Sequence, residues 1–356
     1  MFFISKNCYY SVRGKVDLNM SRYENLLLPS EKNRLNRVRL IKAQAGTNTN
    51  YGKNPRERNI YELLDSGFVN IDKPSGPSSH QVVAWVKEIL NINKAGHGGT
   101  LDPNATGLLT IALGNATKAV RVLLLAGKEY VGIMRLHKKV EEKKLRETCK
   151  NFVGEIYQIP PLRSAVKRKR RKRHVYYLQI LEIKNKDILF RVGCEAGTYV
   201  RTLCVDIGKK LGCGAHLLEL RRTKIGCLNL ENAVKLQDLK DAYETWREEE
   251  NEKELKNIIN PFEKLFDHLP KIVVRDSAVD ALCHGASLTL PGVLEVDSDI
   301  KKNNLIGIFT LKGEIIALGI SEMDAEQIIQ KNKGVCTTIE RVFMKRGTYP
   351  RIWKKS

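Results

Sequence analysis

The spacing of apolar positions along this chain changes period several times, and each change predicts an element. Phe68-Val69-Asn70-Ile71 is a short apolar run closed by Asp72-Lys73-Pro74-Ser75-Gly76-Pro77, a strand ending in a turn. From Ser79 to Leu90 the period lengthens, and Val82, Val83, Val86, Ile89 and Leu90 share one face of an amphipathic helix. Strand patterns return at Leu108–Leu113 and Tyr130–Leu136, and a helix at Glu141–Phe152. Val175–Ile183, Ile188–Val192 and the stretch from Thr198 onward alternate as strands, and Val205–Leu211 is helical.

Strands and helices mix without a steady βαβ period, which predicts an α+β fold with a largely antiparallel sheet. Residues 236–259 are highly charged and predict a solvated helix or two. After Leu269-Pro270 come short apolar runs at Lys271–Val274, Leu305–Leu311, Ile315–Leu318 and Val335–Phe343. Gly292, Gly307, Gly313, Gly319 and Gly334 punctuate them, which predicts a small β-barrel. Ahead of all this, residues 1–60 are polar and basic, with one short helix predicted between Leu26 and Ile41 and a loop at Gly46–Gly52.

Composition adds one strong fact. Lys and Arg number 61 against 40 Asp and Glu, a formal charge of +21 over 356 residues. Such a surplus favours a polyanion, because each neutralised phosphate releases counterions. The surplus is uneven: residues 1–60 carry +8, residues 271–356 only +3. No basic amphipathic helix with a Trp/Phe face argues for a membrane surface. The eight cysteines form no C-x-x-C and have no His at zinc spacing, so structural zinc and disulfides are not expected. Met1-Phe2-Phe3-Ile4 lacks the basic region of a signal peptide.

Five clusters carry candidate chemistry. Gly96-His97-Gly98-Gly99-Thr100-Leu101-Asp102-Pro103 presents one carboxylate on a Gly-rich turn; alone it reads equally as an ordinary turn. Glu195–Leu203 places Tyr199 and Arg201 two residues apart, on one face if the segment is a strand. An Arg beside an Asp orients it, and an aromatic stacks a base; the plain alternative is a solvated surface strand. Lys128-Glu129-Tyr130 enters a strand. Leu220-Arg221-Arg222-Thr223 offers paired arginines suited to phosphates, or a charged helix end. Lys167-Arg168-Lys169-Arg170-Arg171-Lys172-Arg173 is a run of seven cations, for nucleic acid or for localisation. A P-loop, a G-x-S-x-G elbow and an H-E-x-x-H metal motif are all missing from the sequence.

In order along the chain, these segments resemble the TruB-type pseudouridine synthases, and among them the archaeal and eukaryotic dyskerin-like branch, in its archaeal form. Val69–Pro74 through His80, Gly96–Pro103, Gly127–Val131, Pro160–Arg168, Gly197–Leu203 and Leu220–Thr223 carry the resemblance. Arg275–Val279, His284–Ala286, Leu290–Gly292 and Tyr349–Trp353 resemble a PUA domain. The resemblance implies a pseudouridine synthase fold at 61–262 and a PUA RNA-binding domain at 271–347. It also implies a basic extension at 1–60 packing on the PUA domain and a tail at 348–356. Asp102 matches the carboxylate that attacks, or takes a proton from, the target ribose. Tyr130 matches the Tyr stacking on the flipped base, and Arg201 the partner of the Asp, in a partly dry pocket. His97, Tyr199, Leu220 and Lys73 match substrate-side positions, Lys73 within a motif supporting the catalytic loop. No cofactor or metal is implied.

Expected partners are tRNA, modified at position 55 of the T-loop, and H/ACA guide RNA with its rRNA target and small H/ACA proteins, with no membrane. The expected location is cytoplasmic for an archaeal source and nucleolar for a eukaryotic one. Residues 1–19 match nothing in the family, so Met20 is a candidate start. The competing expectation is a non-catalytic H/ACA or ribosome-assembly RNA-binding scaffold, against which the presence of both Asp102 and Arg201 argues.

Overall fold

The computed structural model describes residues 26–160 and 169–351, with the backbone of three short strands at Phe3–Ile4, Tyr9–Ser11 and Gly14–Val16. The chain forms two compact units. One comprises Met1–Glu31, Val69–Ala112 and Val120–Ile258; the other comprises Lys32–Phe68, Leu113–Ala119 and Ile259–Ser356.

The first unit is built on a mixed sheet. Its strands run in the order Gly67–Lys73, Thr106–Leu113, Ala215–Ile225, Lys128–Leu136, Asp187–Cys194, Arg171–Lys184, Gly154–Gln158. Ala215–Ile225 pairs parallel with Thr106–Leu113, and the pairs beyond it toward Gly154–Gln158 are antiparallel. Helices Glu142–Lys150 and Val200–Leu211 bury Leu145, Cys149, Leu203, Cys204 and Ile207 in a core shared with Met134, Phe190 and Val192 of the sheet.

The largest departure from expectation is at Thr198. The segment from there is no strand: Tyr199 caps the helix Val200–Leu211. Val200, Leu203, Cys204, Ile207 and Leu211 are its buried face, a helical spacing that outweighs the brief alternation before it. The charged segment 236–259 does form two helices, Leu236–Glu249 and Lys253–Ile258, but the first is only half solvated, burying Leu239, Ala242 and Trp246. The strand expected at Val175–Ile183 starts earlier, at Arg171, and takes the end of the basic run into the sheet.

The second unit is a seven-stranded sheet with a core of Ile272, Val274, Val293, Ile306, Ile308 and Ile316. Its edge strand, Arg39–Ile41, comes from the N-terminal extension and pairs with Val293–Asp297. Three short helices were not expected from the pattern: Ile60–Ser66, Asp276–Cys283 and Ala325–Gln330. Each spans only about two turns, too short for periodicity to register.

Candidate active site

The segment Gly98–Ala105 hangs in front of the sheet on buried polar posts. The Lys73 side chain is fully buried, and its Nζ donates to the carbonyls of Pro74, Pro103 and Ala105 at 2.8, 2.9 and 2.9 Å. Buried Ser79 donates to Leu101 O (3.0 Å) and accepts from Leu101 N–H (2.8 Å). Arg222, buried on the sheet, donates to Leu108 O (2.8 Å) and Gly99 O (2.9 Å). Lys128 Nζ donates to the carbonyls of Leu123, Leu124 and Ala126, closing the end of the helix Val120–Leu125 beside the loop. Gly107, at φ +98°, lets the backbones meet: a Cβ there would lie 2.3 Å from Arg222 O.

Asp102 stands out from this framework. Its carboxylate accepts a hydrogen bond from Arg201 Nη2, in the first turn of the helix Val200–Leu211. The two side chains are 56% and 55% exposed, so the partly dry pocket expected from the sequence is not what surrounds them. An ion pair this exposed adds at most about 1 kcal/mol to stability. The framework therefore presents a carboxylate to solvent rather than using it as a fastener.

Gln158 sets the height of Arg201. Its amide accepts from Tyr199 N–H (2.9 Å) and donates to Tyr199 O (3.1 Å), gripping the cap of the helix from both sides. Nothing in the sequence marks Gln158, since an isolated Gln carries no pattern. Tyr199 and Arg201 are thus cap and first-turn residues, not neighbours on one strand face.

Tyr130 lies opposite Val192 and Arg222 in the sheet and packs, with Leu220, against the core of the unit. Burial raises the pKa of its hydroxyl, a rise opposed by the adjacent Arg222 guanidinium. His97 leads into the loop, its Nδ1 accepting from Gly99 N–H (3.3 Å), which leaves the proton on Nε2. Its ring stands edge-on to His80 at 5.0 Å, and burial, with His80 and Arg222, lowers its pKa.

Two expectations need correction. Lys73 is no open substrate contact, because its ammonium is enclosed by three carbonyls behind the loop. Arg221 and Arg222 are not phosphate ligands either: both are buried, Arg221 against Asp72 at 2.7 Å and Arg222 against carbonyls. Of the cationic run, Lys167 and Arg168 lie outside the described residues. Arg170 lies 4.4 Å over the Tyr157 ring, Lys172 pairs with Glu155, and Arg173 packs against the Gly197 turn. Lys169 is exposed, and Arg171 opens the strand opposite Gln158.

A solvent-facing Asp–Arg pair on a carbonyl-anchored loop can be set beside known proteins. The profile of the TruB family pseudouridylate synthase N-terminal domain matches residues 87–143 and 137–200, and that of the tRNA pseudouridylate synthase B C-terminal domain matches 201–267. DKCLD (NUC011) and PUA domain profiles match 18–83 and 270–343. A probable tRNA pseudouridine synthase B of Methanosarcina barkeri is 53% identical over 92% of this chain and 96% of its own length. The chain belongs to the TruB family of pseudouridylate synthases.

The counterpart in Methanopyrus kandleri is 51% identical over 94% of this chain and 98% of its own. Among solved structures, a chain of an H/ACA RNP bound to a substrate RNA containing 2'-deoxyuridine superposes with a TM-score of 0.85 at 46% identity, covering 92% of this chain and 100% of that one. A chain of a Cbf5-Nop10-Gar1 complex gives 0.86 at 49% identity, over 92% and 99%. This TruB-family chain is a pseudouridine synthase, with an α+β catalytic part and a C-terminal PUA domain.

Proposed function

We propose that this enzyme isomerises uridine in RNA through Asp102, with tRNA as one substrate and a guide-paired RNA as the other. The exposed Asp102–Arg201 pair on its anchored loop carries this reading. Asp102 acts on the ribose of a uridine drawn out of its stack, an extraction costing a few kcal/mol. The bond between C1' and N1 breaks, the uracil turns, C1' bonds to C5, C5 gives up its proton and N1 takes one up, so atoms balance without an external reagent. Arg201 orients the carboxylate. Tyr130 and Leu220 bound the base on the sheet side, while Tyr199 and His97 flank the entrance, His97 as an Nε2–H donor.

The substrates follow from the relatives: proteins named tRNA pseudouridine synthase B, and structures of Cbf5 with Nop10 and Gar1 and of an H/ACA RNP. The proposed partners are small proteins of that kind, a guide RNA on the PUA domain, and the target RNA. The test is to count pseudouridine in a tRNA and in a guide-paired target, for wild type and Asp102→Asn. Product from wild type, falling about 10³-fold or more in the variant, is expected for a reacting carboxylate. Unchanged product in Asp102→Asn would sink the assignment. No product from wild type on either RNA, with the small partners present, would leave the scaffold alternative.

A further inference from the structure

Where the strand Lys128–Leu136 stops and Ala215–Ile225 starts, two imidazoles meet that the chemistry above does not use. His137 Nε2 lies 3.0 Å from His216 Nδ1, and the ring centroids are 5.2 Å apart. The residues are 79 positions apart in sequence, so no local motif marks them. The strand register brings them together. Arg135 pairs with His216 and Leu136 with Ala215, and His137 N–H continues the ladder by donating to Gly214 O (3.0 Å). Residues two apart on a strand share a face, as do directly paired ones, so Arg135, His137 and His216 stand on one side of the sheet. His137 and His216 are diagonal neighbours there, a spacing that long side chains bridge. Gly214, directly across from His137, makes room for the ring. It sits at φ +70°, and a Cβ there would lie 2.6 Å from His137 Nδ1. Both histidines are exposed to solvent.

We infer that this pair binds one late first-row divalent metal ion, of the class of Cu2+, Ni2+ and Zn2+, through His137 Nε2 and His216 Nδ1. The separation fits. Two nitrogens held at about 2.0–2.1 Å from one metal lie about 2.9–3.4 Å apart for angles between square and tetrahedral. The observed 3.0 Å is inside that range, so the strands already hold the two donors at chelating distance. In the metal-free chain one of the two facing nitrogens carries the proton between them. When the metal enters, that proton sits on the far nitrogen of the same ring, and no net proton is exchanged between neutral rings. The surroundings select the class of ion. Arg135, paired with His216, forks onto Asp187 on the next strand at 2.6 and 2.7 Å, so its charge is already matched. Lys138 and Lys139 follow His137 and are exposed. Their charge disfavours Mg2+ and Ca2+, which bind through carboxylate and carbonyl oxygen, and leaves ions that bond to imidazole. Among the described residues no group of three His, Cys, Asp or Glu is placed for a metal, so water fills the remaining positions. The bound ion joins two strand ends at the foot of the helix Val200–Leu211, whose first turn carries Arg201.

The test titrates the full chain, freed of metal by a chelator, with Cu2+, followed by calorimetry and by electron paramagnetic resonance. Wild type, His137→Gln, His216→Gln, the double variant and His284→Gln are compared, the last removing an exposed imidazole of the other unit. Wild type should take up one tight equivalent whose spectrum shows two imidazole nitrogens. Each single variant should bind that equivalent about 10²-fold more weakly, as when the second arm of a two-armed contact is lost, and show one nitrogen. His284→Gln should keep wild-type affinity and spectrum. One equivalent of metal should also raise the melting temperature of wild type and leave that of the double variant unmoved. Equal melting temperatures in chelator would show that the exposed substitutions leave the fold intact. If wild type takes up no tight equivalent, or if His137→Gln and His216→Gln titrate as wild type does, the site is wrong. The readouts need no RNA and no turnover, so the result is independent of the catalytic reading.

Discussion

The two units keep their buried cations in different ways. In the catalytic unit, Lys73, Lys128 and Arg222 are surrounded by backbone carbonyls. In the second unit two partly buried arginines meet carboxylates, while the partly buried Lys312 and Lys42 again donate to backbone carbonyls. Arg37 forks onto Asp299 at 2.9 and 2.9 Å, and Arg58 onto Glu263 at 2.8 and 2.7 Å. Arg221 with Asp72 is a pair of the second kind inside the first unit. A carboxylate cancels a cation's charge; a carbonyl dipole satisfies its protons and leaves the charge. The first arrangement therefore sets cations beneath the loop that presents Asp102 to an anionic polymer, with burial lowering the pKa of Lys73 and Lys128. The second fastens the N-terminal extension to its own sheet and leaves little field behind.

The sharpest way to break that contrast is to remove one cation of each kind. Arg222→Met strands the carbonyls of Gly99 and Leu108 in the interior, and Arg58→Met strands the Glu263 carboxylate. Each should lower stability by about 3–5 kcal/mol, read as a fall in the urea midpoint. The second loss has a remedy. Arg58→Met with Glu263→Met removes both charges, and a buried pair replaced by apolar groups is often neutral, so most of the midpoint should return. No partner substitution can rescue Arg222→Met, because its partners are backbone. A double variant as unstable as Arg58→Met alone would show that the two arrangements do not differ in kind.

Arg201→Ala probes the exposed counterpart of these buried groups. Turnover should fall about 10²–10³-fold, as when one preorganised donor is removed. Thermal stability should move by less than about 1 kcal/mol, the ceiling for an exposed pair. A large drop in melting temperature would mean that the pair holds structure. Gln158→Ala comes next in size. It strips both hydrogen bonds from the Tyr199 backbone, so a loss of roughly 1–3 kcal/mol is expected, with a smaller fall in turnover. Turnover unchanged at equal folded fraction would show that the cap does not position Arg201.

Much of this was legible in the chain, and the gaps have physical reasons. Long, largely apolar strands, such as Lys128–Leu136 and Asp187–Cys194, could be read directly. The Gly-rich octet around Asp102 and the later Arg201 were visible as motifs, and their meeting in space agrees with the resemblance. What could not be read was the direction of burial. Lys73, Arg221 and Arg222 look like surface cations in sequence, because nothing local announces that carbonyls and a lone Asp72 will enclose them. Tyr199 and Arg201 were misplaced on a strand because a brief alternation precedes a helix whose buried face emerges only along its whole length.

The smallest effect lies in the pH dependence of Lys128, and it tests whether a carbonyl cage really leaves a cation exposed to the penalty of burial. Burial, with Arg222 nearby, lowers its ammonium to about 7, well below the roughly 10.4 of an unfolded Lys. Between those values the unfolded chain binds a proton that the folded one does not, so stability rises with pH across that window. Below about pH 7 both states are protonated and the burial penalty is felt in full. Lys128→Met removes the titrating group and strands three carbonyls, so its melting temperature is lower throughout. The quantity to read is therefore the slope. Wild type should gain more stability from about pH 7 to about pH 9 than the variant does. Parallel curves would mean that the three carbonyls hold the ammonium at its ordinary affinity, and that the charge beneath the catalytic loop persists at every working pH.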